Sequence, residues 1–511
     1  MKNTYNIIRK TIVLTAIALG LTSCLEKTPG DYIPESEGMK SFSAAEQTLT
    51  GIYSAYMSGA LYSGYLTLLP DIQTDLVYAV QGNTNTYGNY WLWDKIRSTD
   101  SEIEAVYGAL YTVISRCNFY LDQVEELRAS LTDDDEIEVL DYYTGEVHCA
   151  RALAYSELIK CFCKAYDPAT AGTDLGVVLA DTYFGEKPQV RASLKDSYGF
   201  VLKDLAKAEE LLDEDNDYYG AVYFTQAAAF AIHARVALYM QDWDAAITYS
   251  SKLINRTDVF ELASSTAYTS YVSPITGATT TLSYVDYMWT DDLAFEIIWK
   301  VGFTTTSYGG ALGQVFLNFN NDYTYYYPDY VPAQWVLNLY GSSDERYGAY
   351  FATCQTGYPH QLSWPLLTKY FGNTSFISNI IYHVNMPKPL RLAEQYLIRA
   401  EAYCRKGNFA AANADITALN KSRGASSKSM NADNWLERIS EERVKELYME
   451  GFRLHDLKRW NMGFERTPQT STQSEGSSLK VSSGDPMFVW PIPKNEIDAT
   501  EGTILPNESN K

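Results

Sequence analysis

The sequence predicts a mainly α protein in which packed helix pairs form a scaffold, with a loop-rich lobe carrying short strands built onto it. Three observations point there. Much of the 511-residue chain repeats apolar residues at helical spacing. Two helix pairs match each other at a constant offset of 166 residues. Two long segments, about 58–100 and 256–388, lose the helical period and are rich in Tyr, Trp, Thr, Gly, Asn and Pro.

The chain opens with Lys2, Arg9 and Lys10 and no acid, followed by the apolar run "TIVLTAIALGLTS". The run is too short for a stable transmembrane helix and reads as a signal peptide over residues 1–23. Leu21, two small residues and Cys24 resemble a bacterial lipobox, which implies cleavage before Cys24 and a lipid anchor on it. Residues 24–511 are expected to form one domain, with the helical scaffold at about 40–57, 101–255 and 389–465.

Losing residues 1–23 removes three positive charges and no negative one, so the formal net charge goes from −22 to −25. Such a chain offers no basic face for nucleic acid. The six cysteines after Cys24 show no spacing that defines a disulfide framework, and most read as small buried hydrophobes.

Within the scaffold, "SAAEQTLTGIYSAYM" opens with Ser43 and Glu46 in capping-box spacing and puts Ala45, Leu49, Ile52 and Tyr56 on one face. "ASLKDSYGFVLKDLAKAEELL" carries Tyr198, Leu202, Leu205 and Leu212 along a stripe. Phe230, Ala234, Trp243, Ala246 and Leu253 reappear as Tyr396, Ala400, Phe409, Ala412 and Leu419. That pattern looks like the tetratricopeptide helix-turn-helix unit, whose members must stack to bury their faces. A strand is expected within "AFEIIWKVGF" and a short helix within "VPAQWVLNLY".

The last third is the most specific. "RLAEQYLIRAEAYCRKGNFAAANADITALNKSRG", "RISEERVKELYMEGFRLHDLKRW" and "VWPIPKNEID", in that order, resemble the closing signature of the SusD/RagB family, nutrient-binding outer-membrane lipoproteins of the Bacteroidetes. The resemblance implies tetratricopeptide-like helix pairs with a loop-rich lobe. It also implies a SusC-like TonB-dependent transporter as partner, and an oligosaccharide cargo or, in the RagB branch, a peptide. It implies neither enzyme activity nor a cofactor, and it implies surface display on the outer membrane.

The residues themselves agree on chemistry. Glu442, Glu446 and Glu450 recur every four positions with Arg443 and Arg453 near, which reads as an ion-pair network rather than as a glycosidase pair on facing elements. The five histidines show no metal-ligand spacing, and His148 beside Cys149 makes no nucleophile pair because helix neighbours diverge by about 100°. Binding is better supplied. Asp75, Trp91, Trp93, Trp289, Tyr325 and Tyr326 are the expected ligand contacts: rings for the apolar face of a sugar, with an acid for its hydroxyls. Trp91 and Trp93 would share one face of a strand. The segment 322–330, "DYTYYYPDY", is expected to be a loop because Pro328 lacks an N–H and disfavours helix before it. A protein scaffold without a nutrient ligand, and a hydrolase with a dispersed carboxylate pair, are the alternative readings.

Overall fold

A computed structural model describes residues 38–184, 190–272, 277–319, 325–357, 363–466 and 479–511. Cys24 and the signal segment lie outside these residues, as do residues 322–324 of the tyrosine-rich segment. The principal helices, numbered in chain order, begin with α1 (Phe42–Tyr56), α2 (Tyr65–Ile72), α3 (Ser101–Leu121), α4 (Asp134–Phe162) and α5 (Leu194–Leu211). They continue with α6 (Gln226–Tyr239) and α7 (Trp243–Ile254) and, after a long excursion, α8 (Leu392–Arg405), α9 (Phe409–Ser422), α10 (Trp435–Glu446) and α11 (Arg453–Trp460). None of the described helices is long and apolar enough to cross a membrane.

The apolar stripes become the scaffold core. Ala45, Leu49, Ile52 and Tyr56 are buried on α1, and Tyr198 and Leu205 on α5, in one cluster with the inner faces of α3, α4 and α6. The first helix starts slightly earlier than its capping-box spacing predicts. Ser41, not Ser43, is the N-cap, its hydroxyl accepting from the Ala44 N–H at 3.2 Å. The repeated pairs α6–α7 and α8–α9 pack directly on one another, although 166 residues separate equivalent positions. Ala234, Ala237, Leu238 and Ala246 of the first pair meet Ile398 and Ala402 of the second. The small alanines let the helix axes approach, which is why both copies carry them at the same positions.

The excursion between α7 and α8 and the segment after α1 build a second core. It contains Leu68, Ile72, Leu76, Val77, Trp91, Trp289, Val315, Phe316, Tyr326, Tyr330 and Val331, with Tyr448 and Met449 from beyond α10. Strand β1 (Val77–Ala79) crosses from the first segment to pair antiparallel with a strand of the second. After β2 (Ile297–Trp299) comes β3 (Tyr330–Pro332), and the β1–β3 register sets Val77 against Pro332, Tyr78 against Val331 and Ala79 against Tyr330. The two sequence segments are therefore one lobe. Strand β2 lies within the predicted "AFEIIWKVGF" and pairs with β4 (Leu390–Arg391), immediately ahead of α8.

Between the two cores lies a buried ionic junction. Glu446, the last residue of α10, accepts at Oε1 from Arg391 (2.9 Å) and Arg423 (2.8 Å) and at Oε2 from Arg423 (3.1 Å) and Arg346 (3.2 Å). Glu296 binds Arg391 (2.6 Å) and Arg423 (2.7 Å), and Asp344 holds Arg346 at 2.7 Å. Burial alone would raise the Glu446 carboxyl; the three guanidiniums outweigh it and hold it well below the usual carboxylate range. The acidic ladder read from sequence is thus a buried network, but not one helical row. The helix stops at Glu446, Met449 and Gly451 take left-handed conformations, and Glu450 swings back to Arg391 (2.8 Å) and Lys369 (2.6 Å).

The turn after α10 then grips α2. The N–H groups of Gly451 and Arg453 donate to the two oxygens of Asp71 at 3.0 and 2.8 Å, and the Arg453 guanidinium binds Asp75 with two 2.9 Å bonds. Gly451 is required here: its φ is +83° and a Cβ would sit 2.7 Å from the Leu66 carbonyl oxygen.

Glu446→Gln leaves three buried guanidiniums short of a counter-charge and is expected to lower unfolding free energy by about 3–5 kcal/mol, measured by urea denaturation. A loss below about 1 kcal/mol would show that the junction is solvated or dispensable.

Candidate ligand-binding lobe

The tyrosine-rich segment is a loop-like stretch held by neighbours on several sides. The Tyr326 N–H donates to the Gln355 carbonyl and its carbonyl accepts from Gly357, both at 2.9 Å. The N–H of Tyr327 reaches Asn318 and that of Asp329 reaches Val315. Gly357 leaves the room that the Tyr327 ring occupies, since a Cβ there would lie 2.4 Å from that ring.

Asp329 ties this segment to the first insertion. Its carboxylate accepts from the Thr84 N–H (2.6 Å) and hydroxyl (2.8 and 2.9 Å), and the Tyr330 hydroxyl donates to the Thr86 carbonyl at 2.6 Å. Residues 81–87 thereby arch beside the tyrosine segment, with Gln81, Thr84 and Asn85 exposed and Tyr87 half-buried. Asn85 and Tyr87 both have positive φ, 62° and 58°. Two non-glycine residues in the left-handed region within three positions are a local strain that the Asp329 tether helps to hold.

A second arc of rings continues the rim. Phe319 lies 5.3 Å from Tyr382 and 6.3 Å from Tyr326, and Tyr325 and Tyr327 are half-buried beside them. Tyr308, 45% exposed, leans on Phe376. Polar groups stand among the rings, including Gln314, which donates to the Asn318 side chain at 3.1 Å. Rings that offer a face, interleaved with amides and hydroxyls on a braced loop, can bind a ligand that is apolar on one side and hydrogen-bonding at its edge.

The six ligand contacts expected from sequence are not brought together. Trp91, Trp93, Trp289 and Tyr326 are all 4% exposed or less. Trp91 ends a four-residue helix (Gly88–Trp91) rather than sitting on a strand, donates to the Val77 carbonyl and lies under the Arg466 guanidinium at 4.2 Å. Trp93, at φ +61°, donates to Asp485 at 3.2 Å and packs edge-on to Phe464 and Phe488, so the two indoles share no face. Trp289 floors the ionic junction, with the Lys369 and Lys388 ammonium groups 4.0 and 4.6 Å from its ring centroid. Asp75 is engaged by Arg453. Tyr325 alone of the six stands on the rim. Large rings in a loop-rich stretch serve its own small core as readily as a ligand, and sequence cannot separate the two uses. Tyr87, Phe319 and Tyr382 complete the rim, with the buried Asp329 as its tether; the asparagine- and threonine-rich run ahead of Tyr87 is the one sequence signal that could have found that side.

The remaining candidates carry no catalytic geometry. The His148 Nδ1 lies 2.8 Å from Asp204, which also binds Arg151, and Cys149 points elsewhere into the core with burial raising its thiol. The six cysteines from Cys117 to Cys404 are buried free thiols. Among the described residues no group of histidine, cysteine and carboxylate side chains converges as a metal site.

Comparison with known proteins bears on the family and the fold. Residues 319–504 match the family model described as the SusD family, and residues 31–238 match one described as starch-binding associating with outer membrane. The fold is shared with a SusD superfamily protein from Bacteroides thetaiotaomicron (TM-score 0.74, 21% identity, 91% of this chain and 99% of that one). It is shared equally with a SusD superfamily protein from Bacteroides vulgatus (0.74, 21%, 92% and 99%). A SusD-like carbohydrate binding protein from Bacteroides vulgatus is also similar (0.73, 19%, 90% and 97%). No curated protein matches the chain significantly.

Asp329→Ala is expected to free residues 81–87. Hydrogen exchange at Thr84 and Asn85 should quicken while the scaffold stays protected, at a cost of about 1.5–3 kcal/mol for the lost charge-assisted bonds. Unchanged exchange there would mean the arch is held by other contacts.

Proposed function

Because the chain belongs to the SusD family, we propose that it is a glycan-binding lipoprotein of the outer membrane that captures oligosaccharides at the lobe rim and delivers them to a SusC-like TonB-dependent transporter. Cys24 carries the lipid anchor in this reading, and the body faces the cell exterior. The observation that carries it is the rim itself: Tyr325, Tyr327, Phe319 and Tyr382 on one arc and residues 81–87 on the other, both fixed through Asp329 and Tyr330. A pyranose ring needs a flat apolar surface and in-plane donors and acceptors, and the rim offers both on a braced frame that loses little freedom on binding.

The protein's part is recognition, not bond cleavage. Glu442, Glu446 and Glu450 are committed to Lys445, to arginines and to Lys369, all buried. A carboxylate held among three guanidiniums is a poor proton donor at neutral pH.

Calorimetric titration with a panel of plant, host and microbial oligosaccharides tests the reading. Binding to one glycan class, weakened about tenfold by Tyr325→Ala without a change in melting temperature, is the expected result. Trp93→Ala and Tyr326→Ala are expected to behave differently, losing about 3–5 kcal/mol of stability because Trp93 fills the scaffold core and Tyr326 the lobe core. Binding of short peptides in place of every glycan would move the cargo to the peptide class.

A further inference from the structure

On the scaffold, away from the lobe rim, a cleft of about 1,130 Å³ opens between α1, α4, the end of α5 and the segment 213–225. Its charge is one-sided. Eight carboxylates line it and no lysine, arginine or histidine does. Asp141 is paired with Arg128 and Glu210 with Lys207, but Glu46, Asp134, Asp135, Glu138 and Asp213 are exposed and make no ion pair among the described residues. Four tyrosines share the walls. Tyr218 and Tyr223 are 44% and 53% exposed; Tyr223 stands edge-on against Tyr53 at 5.1 Å, and Tyr143 stacks on Phe42 at 5.9 Å. Rings held by other rings present their faces without a large ordering cost.

The floor supplies a second, independent sign of a ligand. Glu146 is 3% exposed, and its Oε2 accepts from the Tyr53 hydroxyl, which itself accepts from the Phe224 N–H at 2.7 Å. Its Oε1 makes no hydrogen bond among the described residues, and Glu146 is one of the residues lining the cleft. Burial holds this carboxyl up at about 8 even with the tyrosine bond, a cost that a cation seated beside it would relieve.

We propose that this cleft binds an extended lysine- or arginine-rich polypeptide segment, its cationic side chains lying between the tyrosine faces and the unpaired carboxylates. A divalent ion is the wrong occupant, because the acids do not converge on one point. A single small cation would leave most of the cleft unfilled, since small-ligand sites run to about 300–1,000 Å³. Several cations spaced along a chain match acids spread over α1, α4 and the segment 213–225, and each ring adds a cation–π contact.

The test is fluorescence anisotropy of a labelled hexalysine peptide with the whole protein at low ionic strength. Saturable binding is expected, weakened roughly fivefold by Tyr223→Ala and by the double change Glu46→Gln with Glu138→Gln, melting temperature unchanged. Asp433→Asn with Glu437→Gln removes the same charge from exposed acids at the start of α10 and should leave the affinity unaltered. Equal weakening by both double changes would overturn the proposal, showing attraction to overall charge. So would absence of binding, or displacement of the peptide by a neutral oligosaccharide, which would assign the cleft to glycan. Failure here leaves the lobe rim untouched, because the two surfaces share no residue.

Discussion

One carboxylate without access to water ties three separate stretches of this molecule together. Glu446 ends α10, and the three arginines around it come from three separate stretches: Arg346 from the lobe, Arg391 from the strand that leads into α8, and Arg423 from the end of α9. None of these side chains is more than 1% exposed. Moving so many charges out of water is expensive, and the arrangement persists because each charge has several partners of opposite sign. Trp289 adds its ring face to Lys369 and Lys388, whose ammonium groups also bind Glu450 and Asp292.

The same stretch of chain that ends at Glu446 goes on to fix the first insertion. Gly451 and Arg453 donate to Asp71 and the Arg453 side chain takes Asp75, so α2 is bolted to the C-terminal block nearly four hundred residues away. From α2 the chain runs into β1, from β1 across to β3, and from β3 back through Tyr330 and Asp329 to the rim. The rim loops are therefore the last link of a chain of specific contacts that begins at a buried ion cluster. Such a rim is preorganised by its support, which is what recognition of a hydroxyl-rich ligand demands.

Sequence legibility follows the physics of each part. Helical stripes and the alanine repeat are local or pairwise patterns, so the scaffold core and the stacking of α6–α7 on α8–α9 could be read from Ala234, Ala246, Ala400 and Ala412. The network character of Glu446 was legible from acids and arginines in alternation. Its partners were not, because Arg346 and Arg391 are distant in sequence. The rim was the least legible part. A tryptophan in a loop looks the same on paper whether it is buried in a core, as Trp91 and Trp93 are, or faces a ligand. Only the strand pairing of β1 with β3 shows which side of the segment is inside, and that pairing joins two segments 250 residues apart. The acidic cleft on the scaffold escaped for a related reason: Asp134, Asp135 and Glu138 line it together with Glu46 of α1 and Asp213, which are far from them in sequence.

Native-state hydrogen exchange under increasing denaturant measures the central claim, that the ionic junction makes lobe and scaffold one cooperative unit. If it does, amides of β1 and β3 in the lobe and of α6 and α8 in the scaffold will merge into a single opening with one free energy and one denaturant dependence. If the lobe strands open at markedly lower free energy while α6 and α8 stay protected, the junction does not couple them, and the rim is not held in the way described.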